Sequence, residues 1–205
     1  PCHHVENGVH TLDRARCIGC GKCVDACLYD ALVLYGRSVS PEALMPELLA
    51  DRVFYAQSGG GVTVSGGEPL LHPEFCAELF GLLHREGISC AADTCGEVPW
   101  SAFETVLPLT DLFLYDLKQM NPEAHKACTG VGNQRILENL RRLSETGKPI
   151  EIRMPIIPGL NDSEEEMESA GSFLGGLSNI TGVRLLAYHS FARSKYVSVG
   201  HPDTM

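Results

Sequence analysis

Gly59-Gly60-Gly61-Val62-Thr63-Val64-Ser65-Gly66-Gly67-Glu68-Pro69 is the stretch on which the fold turns. Its centre is short and β-branched, as a buried strand is, and turn residues close it on both sides. Glycines flanking a strand let a ligand approach backbone carbonyls closely, and Glu68 at the strand end can hold a cation. Carbonyls with a carboxylate suit the ammonium group of an amino acid.

Downstream, the pattern changes to a helical one over about residues 73–85, with Phe75, Leu79, Leu82 and Leu83 on one face. Further strands are predicted at Ser89-Cys90-Ala91-Ala92, Leu112-Phe113-Leu114-Tyr115, Ile150-Glu151-Ile152-Arg153-Met154 and Val183-Arg184-Leu185-Leu186-Ala187-Tyr188. Helices are expected over about residues 133–145 and, after the cap Asn161-Asp162-Ser163, to about residue 177. Strands that each lead into a helix, about 25 to 40 residues apart, imply right-handed βαβ units and a parallel sheet. Five strands fall short of an eight-fold barrel, so the fold class is α/β with an open or partial barrel. The first 57 residues are cysteine-rich, carry one helix over about 41–51, and read as an insert or appendage.

Ligands on parallel sheets bind at the carboxyl ends of the strands. Those ends carry Gly66-Gly67-Glu68, Asp93-Thr94, Asp116-Leu117-Lys118, Arg153 and His189, so five strands deliver polar groups to one rim.

Cys17-x2-Cys20-x2-Cys23-x3-Cys27 has the spacing of one half of a bacterial ferredoxin, where closely spaced thiolates wrap a [4Fe-4S] cube. Zinc sites separate two Cys pairs by a longer loop and fit less well. Leu28 stands where a proline usually follows the fourth cysteine, and whether Cys27 completes this cube stays open, since in two-cluster ferredoxins that residue serves the other cluster. Cys76, Cys90, Cys95 and Cys128 are scattered and read as packing residues, on a helix, in a strand, near the rim and in a loop. Nine cysteines with a tight cluster point to metal ligation in a reducing compartment.

Sixteen basic residues against 26 acidic ones give a net charge of −10, which excludes an electrostatic footprint for nucleic acid or an anionic membrane. With neither an apolar run of about 18 residues nor a basic-then-apolar leader, a cytoplasmic protein is expected.

The stretch from Gly59 to Pro69, with Asp93-Thr94, Asp116-Leu117-Lys118, Thr129-Gly130, Arg153-Met154-Pro155, Pro158-Gly159-Leu160-Asn161-Asp162 and Leu185 to His189, resembles the glycyl radical enzyme activating enzymes. These are radical S-adenosylmethionine (SAM) enzymes, of which the pyruvate formate-lyase activating enzymes are the nearest group. The resemblance implies a partial (β/α)6 barrel over 58–205, a ferredoxin-like insert and linker over 17–57, and a remnant of the catalytic cluster loop over 1–16. Cys2-His3 looks like the last cysteine and the histidine of the family's cluster motif; its first two cysteines would lie upstream of Pro1, so the chain is expected to be a fragment, lacking its first strand and its last helix.

The implied cofactors are SAM, a catalytic [4Fe-4S] cluster on Cys2, an additional [4Fe-4S] cluster on Cys17, Cys20, Cys23 and Cys27, and a monovalent cation. The implied catalytic residues are Cys2, Lys118 and Arg153. The implied cofactor contacts are His3, Gly66, Gly67, Glu68, Asp93, Thr94, Asp116, Leu117, Lys118 and His189: Gly66, Gly67 and Glu68 for the ligand's ammonium, Lys118 for its carboxylate, and Asp93, Thr94 and Asp116 for the cation. A glycyl radical enzyme would be the protein substrate and a flavodoxin- or ferredoxin-type protein the reductant. The rival readings are a ferredoxin-type electron carrier and a non-catalytic barrel remnant.

Overall fold

A computed structural model describes residues 2–189, 196 and 198–200. They divide into two compact units: residues 2–38 with the described residues from His189 onward, and Val39–Tyr188.

The first unit opens with an antiparallel hairpin, β1 (His3–Glu6) and β2 (Val9–Leu12), turned by Asn7 and Gly8 with φ of 50° and 75°. An Asn-Gly pair adopts the positive φ values that a tight hairpin turn demands, so this hairpin has a local sequence signal. A short helix, α1 (Lys22–Asp25), follows within the cysteine cluster.

The second unit begins with α2 (Pro41–Leu49) and α3 (Arg52–Ser58), two helices where one was expected. Ser40 caps α2 by accepting from Ala43 N–H at 3.3 Å, and Pro41 occupies the first turn, where its missing N–H costs nothing. The core alternates from there as β3 (Gly61–Val64), α4 (Pro73–Arg85), β4 (Ser89–Thr94), α5 (Trp100–Val106), β5 (Leu112–Asp116), α6 (Pro122–Thr129), α7 (Gln134–Ser144), β6 (Ile150–Ile156), α8 (Glu164–Gly175) and β7 (Ile180–Ala187). All five strands pair parallel, in the order β3-β4-β5-β6-β7. Chain order equal to sheet order means that the winding never reverses, so this is a stretch of barrel rather than a doubly wound sheet.

Parity along the strands decides what faces the helices. Cys90, Ala92 and Thr94 of β4, Phe113 and Tyr115 of β5, and Ile150, Ile152 and Met154 of β6 are buried, while the residues between them are not. Against this face α4 lays Cys76, Leu79, Phe80 and Leu83, one helical stripe, and Phe103 of α5 packs 5.9 Å from Phe113 and 6.3 Å from Tyr115. Full burial of each such aromatic contributes about 1.5–3 kcal/mol.

At the amino ends of the strands, His84, Cys90 and Asp111 come together. Asp111 Oδ2 lies 2.8 Å from His84 Nε2 and accepts from Cys90 N–H at 2.7 Å, which ties α4 to β4 and the start of β5. Burial pushes the Cys90 thiol up to about 12 and that of Cys76 to about 11, so both stay protonated packing groups. Cys128, expected in a loop, lies in the last turn of α6. Among the described residues, no helix is long and apolar enough to cross a membrane.

Candidate functional site

Two places concentrate chemistry, one in each unit. In the second unit it is the carboxyl rim of the sheet. The strand expected to end at Ala92 runs on to Thr94, so Asp93 and Thr94 are strand residues and point to opposite faces. Asp93 lies on the face away from the helices. There Arg153 Nη1 donates to Asp93 Oδ2 at 2.6 Å and Ser65 Oγ donates to the same atom at 2.9 Å. Asp116 is the cross-strand partner of Arg153 and pairs with Lys118 Nζ at 3.2 Å. Each of the two aspartates expected to need an added cation therefore already faces a cation of the chain.

Thr94, on the buried face, donates to Glu68 Oε1 at 2.8 Å and accepts from Gly96 N–H at 3.0 Å. Glu68 also accepts from Leu70 N–H at 3.0 Å on Oε1 and from Cys95 N–H at 2.8 Å on Oε2. Its carboxylate thus straps the end of β3 to the end of β4. Gly66, with φ of 137°, and Gly67 have open space where a side chain would stand. That exposed backbone fits the close approach of an ammonium group, and with the two ion pairs nearby the residues present fit SAM. Leu117 is a core residue, 1% exposed, and only its backbone can reach a ligand; its N–H donates to the Arg153 carbonyl at 2.9 Å.

Three buried asparagines hold the rim loops. Asn139 Nδ2 donates to the Gly96 and Val98 carbonyls, Asn133 Nδ2 to those of Gln119 and Met120, and Asn161 Nδ2 to those of Lys118 and Pro155, all at 2.7–2.9 Å. Buried carbonyls need donors, and an amide serves two at once. Beside the rim lies a cavity of about 290 Å³ whose lining includes Glu68, Cys95, Glu97, Lys118 and His125. Ser65, Cys95, Glu97 and His125 were not assigned from sequence. The run Asp-Thr-Cys-Gly-Glu signals Cys95 and Glu97, because residues just past a barrel strand line its mouth, while His125 comes from a helix and carries no local signal. Burial, with Glu68 beside it, raises the Cys95 thiol.

In the first unit, Cys2, Cys17, Cys20 and Cys23 line one cavity of about 860 Å³ together with His3. His3 Nδ1 stands 2.9 Å from His10 Nε2 across the hairpin. Gly19 N–H donates to Cys17 Sγ at 3.4 Å. Cys27 does not line that cavity; its Sγ accepts from Ala31 N–H at 3.3 Å, and backbone donors, Tyr29 first and then Ala31, lower its pKa. Four thiols around one space, one of them accepting a backbone N–H bond, fit an iron–sulfur donor set. Cys2 is the one thiol that the resemblance assigns to the catalytic cluster, and one thiolate does not make the ligand set of a [4Fe-4S] group. His189 is exposed and groups with the first unit.

The sequence pattern of the Radical SAM superfamily matches residues 16–170. The chain is 42% identical over 199 residues to the (2S)-3-sulfopropanediol dehydratase activating enzyme of Klebsiella oxytoca, which covers 95% of the chain and 62% of that relative. It is 37% identical over 205 residues to the pyruvate formate-lyase 2-activating enzyme of Escherichia coli (strain K12), over 98% of the chain and 70% of the relative. A crystal structure of a domain of pyruvate-formate lyase-activating enzyme from Bacteroides vulgatus ATCC 8482 superposes with a TM-score of 0.61 at 38% identity, over 64% of this chain and 83% of that one. The chain spans less than two thirds of the length of the sulfopropanediol relative. Sequence and fold agree: the chain belongs to the radical SAM superfamily, among the activating enzymes of glycyl radical enzymes.

Proposed function

We propose that this chain carries the SAM-binding barrel and electron-relay insert of an activase that installs a glycyl radical on a partner enzyme such as pyruvate formate-lyase. The observation that carries the reading is the meeting of Gly66-Gly67, Asp93–Arg153 and Asp116–Lys118 at the carboxyl ends of adjacent parallel strands. A pure electron carrier has no use for such a rim.

When bound and given one electron, SAM supplies methionine and a 5′-deoxyadenosyl radical that can take hydrogen from a backbone glycine. The chain's residues bind and orient it. Carbonyls around Gly66 and Gly67 receive the ammonium, and Glu68 holds that turn against β4. Lys118 meets the carboxylate. Asp116 and Asp93 would supply carboxylate oxygens to a monovalent cation, and Thr94, whose hydroxyl is held by Glu68 on the buried face, could add only its backbone carbonyl. Arg153 holds the Asp93 carboxylate in place. His3 and His189, both of the first unit, are assigned to SAM by the family resemblance alone. Cys17, Cys20 and Cys23 would hold the additional [4Fe-4S] cluster, with Cys27, outside their cavity, as the fourth thiolate the resemblance implies; the chemistry it would supply is one-electron transfer from a flavodoxin- or ferredoxin-type protein in the cytoplasm.

Calorimetric titration of the chain with SAM under anaerobic conditions tests the reading. The chain binds, and Lys118→Ala weakens binding about tenfold, the loss of one charge-assisted hydrogen bond of about 1.5 kcal/mol. No binding by the unmodified chain overturns the proposal in favour of an electron carrier.

A further inference from the structure

We propose that Arg14, Arg16 and Lys22 form a cationic lining that raises the reduction potential of the iron–sulfur group held by the insert. The inference rests on the cluster reading of Cys17, Cys20 and Cys23 given above and concerns what this chain does to that group.

The observation is a sorting of charge. Residues 2–35 contain three basic side chains, Arg14, Arg16 and Lys22, and four acidic ones, Glu6, Asp13, Asp25 and Asp30. All three basic residues line the thiol cavity and none of the four acids does. This happens in a chain whose net charge is −10. Arg14 is anchored there, its Nη2 donating to the Ser198 carbonyl at 2.9 Å, and Asp13 is turned away into a local turn, its Oδ1 accepting from Ala15 N–H at 3.1 Å. The rest of the lining is largely apolar, with Ile18, Val24, Leu32, Val33 and Leu34.

The physical consequence follows from Coulomb's law. A cube on four thiolates is anionic, and taking up one electron adds a further negative charge without forming or breaking a bond. Nearby cations stabilise the reduced form more than the oxidised one, and because Arg14, Arg16 and Lys22 are exposed the effect weakens as ionic strength rises. N–H donation to Cys17 acts in the same direction. The acids elsewhere on the chain pull the other way, so a lining without acids among the described residues keeps the insert an acceptor of electrons from a low-potential one-electron donor.

The test is a potentiometric titration of the chain, loaded anaerobically with iron and sulfide and followed by the electron paramagnetic resonance of the reduced cluster. The triple variant Arg14→Gln/Arg16→Gln/Lys22→Gln is compared with a control of equal charge change, Arg85→Gln/Lys126→Gln/Arg141→Gln, none of which lines the cavity. The expected result is at least a tenfold fall in the reduced-to-oxidised ratio at fixed ambient potential in the triple variant, about 59 mV for one electron, with a clearly smaller shift in the control. Arg16→Lys, which keeps the charge, leaves the potential unchanged. Should the triple variant not load, Arg16→Gln and Lys22→Gln singly give smaller falls of the same sign. A loaded cluster whose midpoint does not move, or moves equally in the control, overturns the inference and leaves the cluster reading standing. An unmodified chain that binds no iron overturns the cluster reading itself.

Discussion

Replacing Glu68 by glutamine separates two roles that the Gly-Gly-Glu run could give this residue, ligand and strap. In the structure both carboxylate oxygens are occupied: Oε1 by Leu70 N–H and Thr94 Oγ1, Oε2 by Cys95 N–H. Glutamine can keep its oxygen toward Leu70 and Thr94, but its NH2 then faces the Cys95 N–H, donor against donor. The loss is one charge-assisted bond, about 1.5–3 kcal/mol, together with weakening of the other two as the charge disappears. Because Glu68 is half-buried, water recovers part of this, and a net destabilisation of about 2 kcal/mol is expected. The assay is urea unfolding of the second unit's signal, with amide hydrogen exchange at Leu70 and Cys95 as the local readout. Both amides should exchange faster by about the same free energy, and SAM affinity should fall by less than about tenfold because the turn still forms. Thr94→Val, which removes one donor from the strap and touches no ligand group, should lose about 1 kcal/mol in the same assay. An E68Q chain with unchanged stability and unchanged exchange, yet SAM binding weakened thirty-fold or more, would refute the strap and restore the carboxylate as the ammonium's partner.

Further outcomes follow from the same geometry. Arg153→Gln leaves Asp93, with 16% of its side chain exposed, without its cation; a loss of about 2 kcal/mol in urea unfolding is expected, along with weaker SAM binding, and Arg153→Lys should recover part of both. Gly96→Ala puts a Cβ 1.8 Å from the Tyr115 hydroxyl at φ of 74°, so the variant should unfold at clearly lower urea than the parent, with Tyr115→Phe restoring part of the loss. Asp111 is partly desolvated, which opposes ionisation, but the Cys90 N–H and then His84 outweigh burial and lower its pKa. A depressed carboxylate stabilises the fold above its unfolded pKa and loses that stabilisation as pH falls through its folded value, so Asp111→Asn should flatten the acid limb of a stability-against-pH curve, and an unchanged limb would count against the assignment.

The periodic parts of the barrel were legible. Strands at 61–64, 112–116 and 150–156 and helices at 73–85 and 134–144 stand within about two residues of their expected bounds, because alternation and helical stripes are written locally. What escaped were α1, α3, α5, α6 and the hairpin. Trp100–Val106 is short and is held by tertiary contacts of Phe103 with Phe113 and Tyr115 of β5, and the cap of α6, Asn121 accepting from Glu123 and Ala124 N–H, is a local signal. At the rim, residue types were readable but partners were not. The sequence shows Asp93 and Arg153 sixty positions apart, and only the parallel register brings them together.

Register also changes what neighbouring motif residues can do. Asp93-Thr94 and Asp116-Leu117 each look like a unit in the sequence, but successive residues of a strand face opposite sides. Asp93 therefore joins Arg153 on the open face, while Thr94, 2% exposed, reaches Glu68 on the buried one. Asp116 pairs with Lys118 beside the open face, while Leu117 packs in the core. A ligand on the open face can meet the two aspartates directly, but it can feel the Thr94 side chain only through Glu68 and the turn that Glu68 holds. Of each motif pair, one residue meets the ligand and the other fixes the backbone that carries it. Substitutions at Asp93 should therefore act on affinity, and substitutions at Thr94 on the order of the loop.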